Sequence, residues 1–440
     1  MGVRGSATAV YQVEPESALA REDEVPHGYK RTEVGVIPED WSLTALGTLL
    51  SFKNGLNKGK EYFGRGSPIV NYMDVYAFPK IYASRLQGRV EVTKQEIDSY
   101  SVRRGDVFFT RTSETVDEVG VASVLVDDSP NTVFSGFVLR ARSKNDALAI
   151  GFKSYCFSTQ VIREQITSKS TYTTRALTNG RALSDVLLPL PPTKLQQEAI
   201  AEALADADAL IESLQQLIAK KRAIKQGAMQ ALLTGRQRLP GFWEGWQRKK
   251  IDDVFQMRIA GSKAQFINNG GAYYIVDMGS VSRDGHLIVS KVTDHDRDRL
   301  MEGELVMPKD DIGGGNIIGK VAYIDASNRY VLGDHVYALR AMSGDPRFFA
   351  YLINGYETNH ALRSKVGGSA QLGLSQQAVR EQEIYFPPLA EQTAIATVLS
   401  DIDAEIEALE ARLAKTRALK AGMMQALLTG RIRLPLDRAA

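Results

Sequence analysis

The sequence predicts an α+β protein built twice over. Two blocks of short strands are each closed by one long helix, and the halves are related by a pseudo-two-fold. Three observations carry this. A 42-residue stretch at 199–240 recurs at 394–435 with an offset of 195, and 27 of its positions are identical. A proline pair, Pro191-Pro192 or Pro387-Pro388, stands just ahead of each copy. The blocks before them diverge, yet carry matching apolar runs in the same order. A repeat this long is not a solenoid unit.

Both repeated stretches read as helices, rich in Ala, Leu, Glu, Lys and Gln and free of internal proline. In the second copy Leu399, Ile402, Ile406, Leu409 and Leu413 step by three and four, the spacing of a coiled-coil seam. The first copy keeps the seam as Leu204, Ile211, Leu214 and Ile218, with Ala207 between. Thr234-Gly235 and Thr429-Gly430 supply the stops, so each helix should run about 35–40 residues, roughly 55–60 Å. Charge is graded along both. Glu198, Glu202, Asp206, Asp208 and Glu212 precede Lys220, Lys221, Arg222 and Lys225 in the first, and the second repeats the order. Acids first and bases last suit the helix dipole. Side by side in parallel, like charges would meet; antiparallel, the acidic half of one helix faces the basic half of the other. An antiparallel coiled coil between the two copies is therefore expected.

Inside the blocks, Gly105-Asp106-Val107-Phe108-Phe109 matches Gly303-Glu304-Leu305-Val306-Met307, and the stretch at 134–140 matches 331–340. Such apolar runs between Gly and Asp clusters read as strands. One helix is expected after them in each block, at 149–167 and 346–366. The blocks also open alike: Pro38-Glu39-Asp40-Trp41 before the first, and Pro240-Gly241-Phe242-Trp243 before the second. The chain stops where such a junction would begin again, as expected if its ends meet in space. Residues 1–27 lie outside the repeat and read as a polar tail.

Composition narrows the function. A net charge of +2 is small for a chain that holds nucleic acid unaided, so any DNA contact would draw on a partner's positive field. The single cysteine, Cys156, excludes a disulfide framework and fits a reducing, cytoplasmic setting. No stretch is long and apolar enough for a membrane span. Gly314-Gly315-Asn316-Ile317-Ile318-Gly319-Lys320 nearly spells a phosphate-binding loop, but Val321 stands where a hydroxyl should hold Mg²⁺. The five histidines are scattered and no metal cage or catalytic constellation is visible, so the chain reads as non-catalytic.

Polar, glycine-containing loops separate the strands, and their amides, hydroxyls and bases are the groups that hold phosphates and read base edges. In the first block the candidates are Lys58, Lys60, Tyr62, Asn71 and Tyr72 in 51–76, Arg111, Thr112 and Ser113 in 110–117, and Lys169, Tyr172 and Arg175 in 167–181. In the second they are Lys263 and Gln265 in 258–271, Lys309 and Asn316 in 308–316, and Lys365 and Gln371 in 364–375.

The repeated helix ending Leu232-Leu233-Thr234-Gly235-Arg236 with Arg238-Leu239-Pro240, the proline pair, the Gly105–Ser113 segment and the opening at Trp41 together resemble the specificity subunit of Type I restriction–modification systems. The likeness covers residues 28–435. It implies a first target-recognition domain at 28–190, a conserved helix at 191–240, a second target-recognition domain at 241–386 and a second conserved helix at 387–440. It implies a DNA-recognition subunit for a two-part target. Its partners would be double-stranded DNA, two modification subunits carrying S-adenosylmethionine and two restriction subunits using ATP and Mg²⁺, with no cofactor in this chain itself. The helices would act as a ruler for the gap in the target. Arg111 matches the family's Thr-Arg-Thr segment; the second block departs, with Lys309 in that place. The alternatives are a recognition subunit of a modification-only assembly and a protein-only coiled-coil adaptor.

Overall fold

The structure is a computed structural model that describes residues 25–172, 174–311, 315–367 and 372–435. Residues 1–24 of the tail and Gln371 lie outside the described residues. The chain divides into two compact units, one running to Glu212 and resuming at Ala414, the other Ser213–Leu413. Each helix of the repeat therefore begins in one unit and ends in the other.

The first unit has a five-stranded sheet in the order Leu50–Asn54, Val138–Ser143, Val107–Thr110, Ala122–Leu125, Lys80–Ile81. Its pairs are antiparallel except the last. The central strand alternates its faces: Val107 and Phe109 join a core with the helices, and Phe108 packs into a second core with Val70, Phe134 and Val138. Burial on both sides is why this strand is apolar throughout rather than alternating. The second unit repeats the plan with Phe255–Arg258, Val336–Ala341, Leu305–Pro308 and Ala322–Tyr323. There Leu305 and Met307 face one core and Val306 the other.

The long helices span Lys194–Leu232 and Leu389–Leu428. Each ends on a left-handed glycine, Gly235 (φ 69°) and Gly430 (φ 75°), where a side chain would be strained. They pair antiparallel. In the second unit Lys221 meets Glu405, and Lys225 meets Asp403 at 2.6 Å, one number rising as the other falls. In the first unit Asp208 meets Lys420 at 2.5 Å, and Leu204 shares a core with Leu427 and Leu428. Along the seam Leu204, Leu214, Ile218, Leu399, Ile406 and Leu413 are buried, while Ile211, Ile402 and Leu409 are half-buried.

Two expectations are corrected. The single helix foreseen in each block is a pair: Ile150–Cys156 with Gln160–Ser168, and Pro346–Asn354 with Tyr356–Arg363. Thr159 restarts the first pair by accepting the Ile162 N–H, and Gly355 separates the second. The other correction concerns the second opening. Trp41 is buried with Pro38 against Gly430, but Trp243 is 83% exposed. It is Trp246 that lies beside Gly235 and leads into a strand, Gln247–Lys250, as Trp41 leads into Ser42–Ala45. An insertion of a few residues displaced the tryptophan from the place the spacing suggested.

The opening of the first block meets the stop of the second helix within the first unit: the Tyr29 hydroxyl donates to the Gly430 carbonyl at 3.1 Å, and Arg433 pairs with Asp40 at 2.7 Å.

Leu204 and Leu399 are fully buried at equivalent places of the repeat. Truncating either to alanine should cost about 2–5 kcal/mol. Hydrogen exchange should show the loss of protection first in the unit whose core holds that leucine; equal loss in both units would contradict separate cores.

Candidate nucleic-acid interface

The strand Val107–Thr110 delivers Arg111 to a junction of loops. The Arg111 backbone N–H donates to the Phe137 carbonyl, and its own carbonyl accepts the Thr178 N–H, both at 3.0 Å. Its guanidinium reaches back to the Gly136 carbonyl at 3.4 Å and is half-buried. Just beyond, Thr112–Ser113 pairs with Ala176–Leu177, which pairs with Thr171–Tyr172. The 51–76 loop is clipped to the same place through Leu56, whose N–H donates to Phe134 and whose carbonyl accepts Gly136. Gly55 permits this approach: a Cβ there would lie 2.1 Å from the Ser135 carbonyl oxygen. Three of the loops read from the sequence thus converge on Arg111.

The second unit builds the same junction with other chemistry. The Lys309 N–H donates to the His335 carbonyl at 3.0 Å, and its carbonyl accepts the Leu374 N–H at 2.7 Å. Asp310–Asp311 pairs with Leu372–Gly373 in the place of Thr112–Ser113. Lys309 therefore has the backbone position of Arg111, and His335 that of Phe137. His335 adopts a left-handed backbone (φ 61°), a region that non-glycine residues seldom occupy, although histidine enters it more readily than most. Its Nδ1 lies 2.6 Å from an Asp310 carboxylate oxygen. Phe137 is 61% exposed at the matching spot. Neither residue stands out in the sequence: Phe137 lies inside a strand-like run and His335 among scattered histidines.

The other candidates divide by what their charges already meet. Lys58 donates to the Glu91 carbonyl and pairs with Glu96, both at 2.8 Å, so its ammonium is balanced within its unit. Lys58 in turn holds the Glu96 carboxyl below its usual range. Lys263 is only 5% exposed and pairs with Asp298 at 2.6 Å. Ser113 is buried and donates to Glu118. Glu118 also accepts the Tyr76 hydroxyl, and that bond foremost keeps its carboxyl below the ordinary range. Tyr76 stacks on Tyr72 at 5.7 Å, one turn after Asn71 begins their helix, so Tyr72 is fixed beside the 110–117 loop. Lys60, Tyr62, Lys169, Arg175, Gln265, Asn316 and Lys365 are exposed, and Tyr172 is 60% exposed. Thr112 is half-buried.

Asp106 of the strand motif is a structural acid. It is buried, accepts the Arg103 N–H and takes Arg142 in a two-point ion pair at 2.7 and 2.8 Å. Glu304 does the same with the Met301 N–H and Arg258. The near phosphate-binding loop is also structural. Lys320 donates to the Asn354 carbonyl at 3.1 Å and Val321 is fully buried. Burial pushes the Cys156 thiol well above its usual range, so it is held as the neutral thiol. Among the described residues no group of His, Cys, Asp and Glu could hold a metal ion, and no helix is long and apolar enough to cross a membrane.

Residues 243–416 match the family model for the Type I restriction modification DNA specificity domain. The chain is 24% identical over 431 residues to a Methanocaldococcus jannaschii protein named for the specificity subunit of the MjaX type I restriction enzyme, covering 92% of this chain and 97% of that one. It is 22% identical over 403 residues to the StySPI specificity subunit of Salmonella potsdam, covering 86% and 85%. In fold it is similar to the S subunit of a Type I restriction–modification system from M. genitalium, with a TM-score of 0.55, 14% identity and coverage of 90% and 97%. A structure from work on complex assembly and conformational transition of the type I R-M system also gives 0.55, at 16% identity and coverage of 90% and 99%.

Asp106→Ala should destabilise the first unit by about 3–5 kcal/mol, because it strands Arg142. Thermal unfolding of the variant would check this, and an unchanged midpoint would mean the acid is not the anchor its geometry indicates.

Proposed function

We propose that this chain, which belongs to the specificity subunits of Type I restriction–modification systems, reads a two-part DNA target with one half-site per unit. The observation that carries the proposal is the junction built twice on one backbone plan with different side chains: Arg111-Thr112-Ser113 in one unit, Lys309-Asp310-Asp311 in the other. A shared frame with exchanged side chains is what two readers of different half-sites need. Arg and Lys favour guanine O6 and N7, while an Asp accepts from cytosine N4. The units would therefore prefer different bases.

The repeated helices support the partner side of the reading. Nearly identical surfaces suit two copies of one partner, the modification subunit, which would bind S-adenosylmethionine and methylate adenine. Restriction subunits using ATP and Mg²⁺ would join that assembly in the cytoplasm. This chain would hold no cofactor and catalyse nothing. With a net charge of only +2, much of the phosphate neutralisation would fall to the partners.

The first test is adenine-methylation mapping across the genome of cells carrying this chain with its modification subunit, against cells lacking the chain. Loss of one split motif is expected. An unchanged methylome, together with no DNA protection by the purified assembly, would favour a protein-only adaptor. Arg111→Ala and Lys309→Ala should each weaken discrimination by about 1–3 kcal/mol at one half-site only. Equal loss at both half-sites would break the assignment of one reader to each unit. Ile406→Asp should abolish assembly with the modification subunit, since it buries an unpaired carboxylate in the seam. A complex that still co-purifies would remove the seam from the docking argument.

A further inference from the structure

A three-residue contact recurs in the two units outside the loop junctions. In the first, the Tyr155 hydroxyl donates to Asp208 at 2.8 Å, the other oxygen of that carboxylate meets Lys420 at 2.5 Å, and the Lys420 ammonium lies 5.7 Å from the centre of the Tyr155 ring. In the second, Tyr351 donates to Asp403 at 2.7 Å, Asp403 meets Lys225 at 2.6 Å, and Lys225 lies 5.5 Å from the centre of the Tyr351 ring. The aspartates and lysines stand at the repeat offset of 195. The tyrosines do not belong to the repeat. They come from the divergent blocks, on helices that share little beyond Phe152-Tyr155 and Phe348-Tyr351.

Each contact joins three separate segments: a helix of the block, the acidic half of one long helix and the basic half of the other. It closes only when the long helices run antiparallel. Carboxylate and ammonium are partly buried in both, with side chains 19–31% exposed, so the bonds are screened less than surface pairs. Burial foremost pushes both tyrosine hydroxyls well above their ordinary range, so they stay protonated donors. The first unit adds Lys80, which donates to the Tyr155 oxygen at 3.0 Å; in the second, Ser400 lies 3.3 Å from the Tyr351 oxygen. A hydrogen bond is directional where apolar packing is not. One such bond at the seat of each block, added to the apolar packing there, restricts the angles at which that block can stand on its stretch of helix while keeping the bond.

We infer that Tyr155 and Tyr351, each locked by an aspartate and a lysine of opposite helices, are positioning residues that set which gap between half-sites is methylated. The inference rests on the proposed two-part target. It would be tested with the full assembly of this chain and its modification subunits on DNAs that keep both half-sites and vary the gap one base pair at a time. Tyr155→Phe and Tyr351→Phe keep the rings and remove the donors. Methylation at neighbouring gaps, relative to the native gap, should rise about tenfold, the scale of losing one hydrogen bond to a charged group. A tyrosine that merely stabilises the fold would lower the melting temperature and methylation at all gaps together, leaving that ratio unchanged; this result would overturn the inference. Should a phenylalanine variant melt early, Lys420→Gln and Lys225→Gln, which spare the tyrosine bond and loosen its acceptor, are read by the same ratio. If the unaltered assembly methylates no split motif at all, the two-part reading fails and the inference with it.

Discussion

The helix-side core of each unit depends on the antiparallel pairing of two charge-graded helices. Neither of these two cores is complete without segments from both copies of the repeat. Ile200 and Leu204 share the first core with Leu427 and Leu428, and Leu232 and Leu233 share the second with Ile395 and Leu399. Magnitudes separate what holds the pair from what orients it. Exposed pairs such as Arg222 with Glu410 contribute on the order of 0–1 kcal/mol, whereas a fully buried leucine contributes roughly 1.5–3 kcal/mol. Apolar burial supplies the adhesion. The charge gradient selects direction, because the parallel arrangement would set acid against acid along half the length.

Around that constraint the molecule keeps some features twice and varies others. It keeps the two-faced central strand, the buried acid that gathers an arginine and a backbone N–H, the left-handed glycine that ends each helix, and the hydrogen-bond pattern at Arg111 and Lys309. It varies the side chains that hang from the junction. Frame and junction side chains are thus separated in the chain, so those side chains can change without unsettling a core.

Much of the fold was legible in the sequence, because repetition removes ambiguity. The helices, their stops and their direction follow from identical residues, seam spacing and charge order. The matching strand runs aligned because Asp106 and Glu304 anchor them alike. What escaped were features decided by distant contacts or by small insertions. Trp246 rather than Trp243 fills the place by Gly235, since the packing tolerates added residues in the linker before it. The helix of each block breaks at Thr159 and at Gly355, cues too slight against an apolar run that continues on both sides. At the candidate interface Arg111 and its counterpart Lys309 were legible from the strand motif. Lys58 and Lys263 looked like open cations, and their carboxylate partners, Glu96 and Asp298, lie 38 and 35 residues away in the chain. Glu118 and Tyr76 gained meaning only through each other.

The division of the chain into units also has a consequence for its synthesis. The second unit is one continuous segment, Ser213–Leu413, while the first opens the chain and is completed only by residues from Ala414 onward. Domains generally fold as they emerge, N-terminal first, at about 5–20 residues per second. Here the order of completion is reversed. The half made first must wait, its core lacking Leu427 and Leu428, until those residues leave the ribosome. The half made second already has every segment it needs. The nascent first half therefore carries exposed apolar surface while about half of the sequence is still being made, and that interval is when it is most open to chaperones or to pairing with the wrong helix.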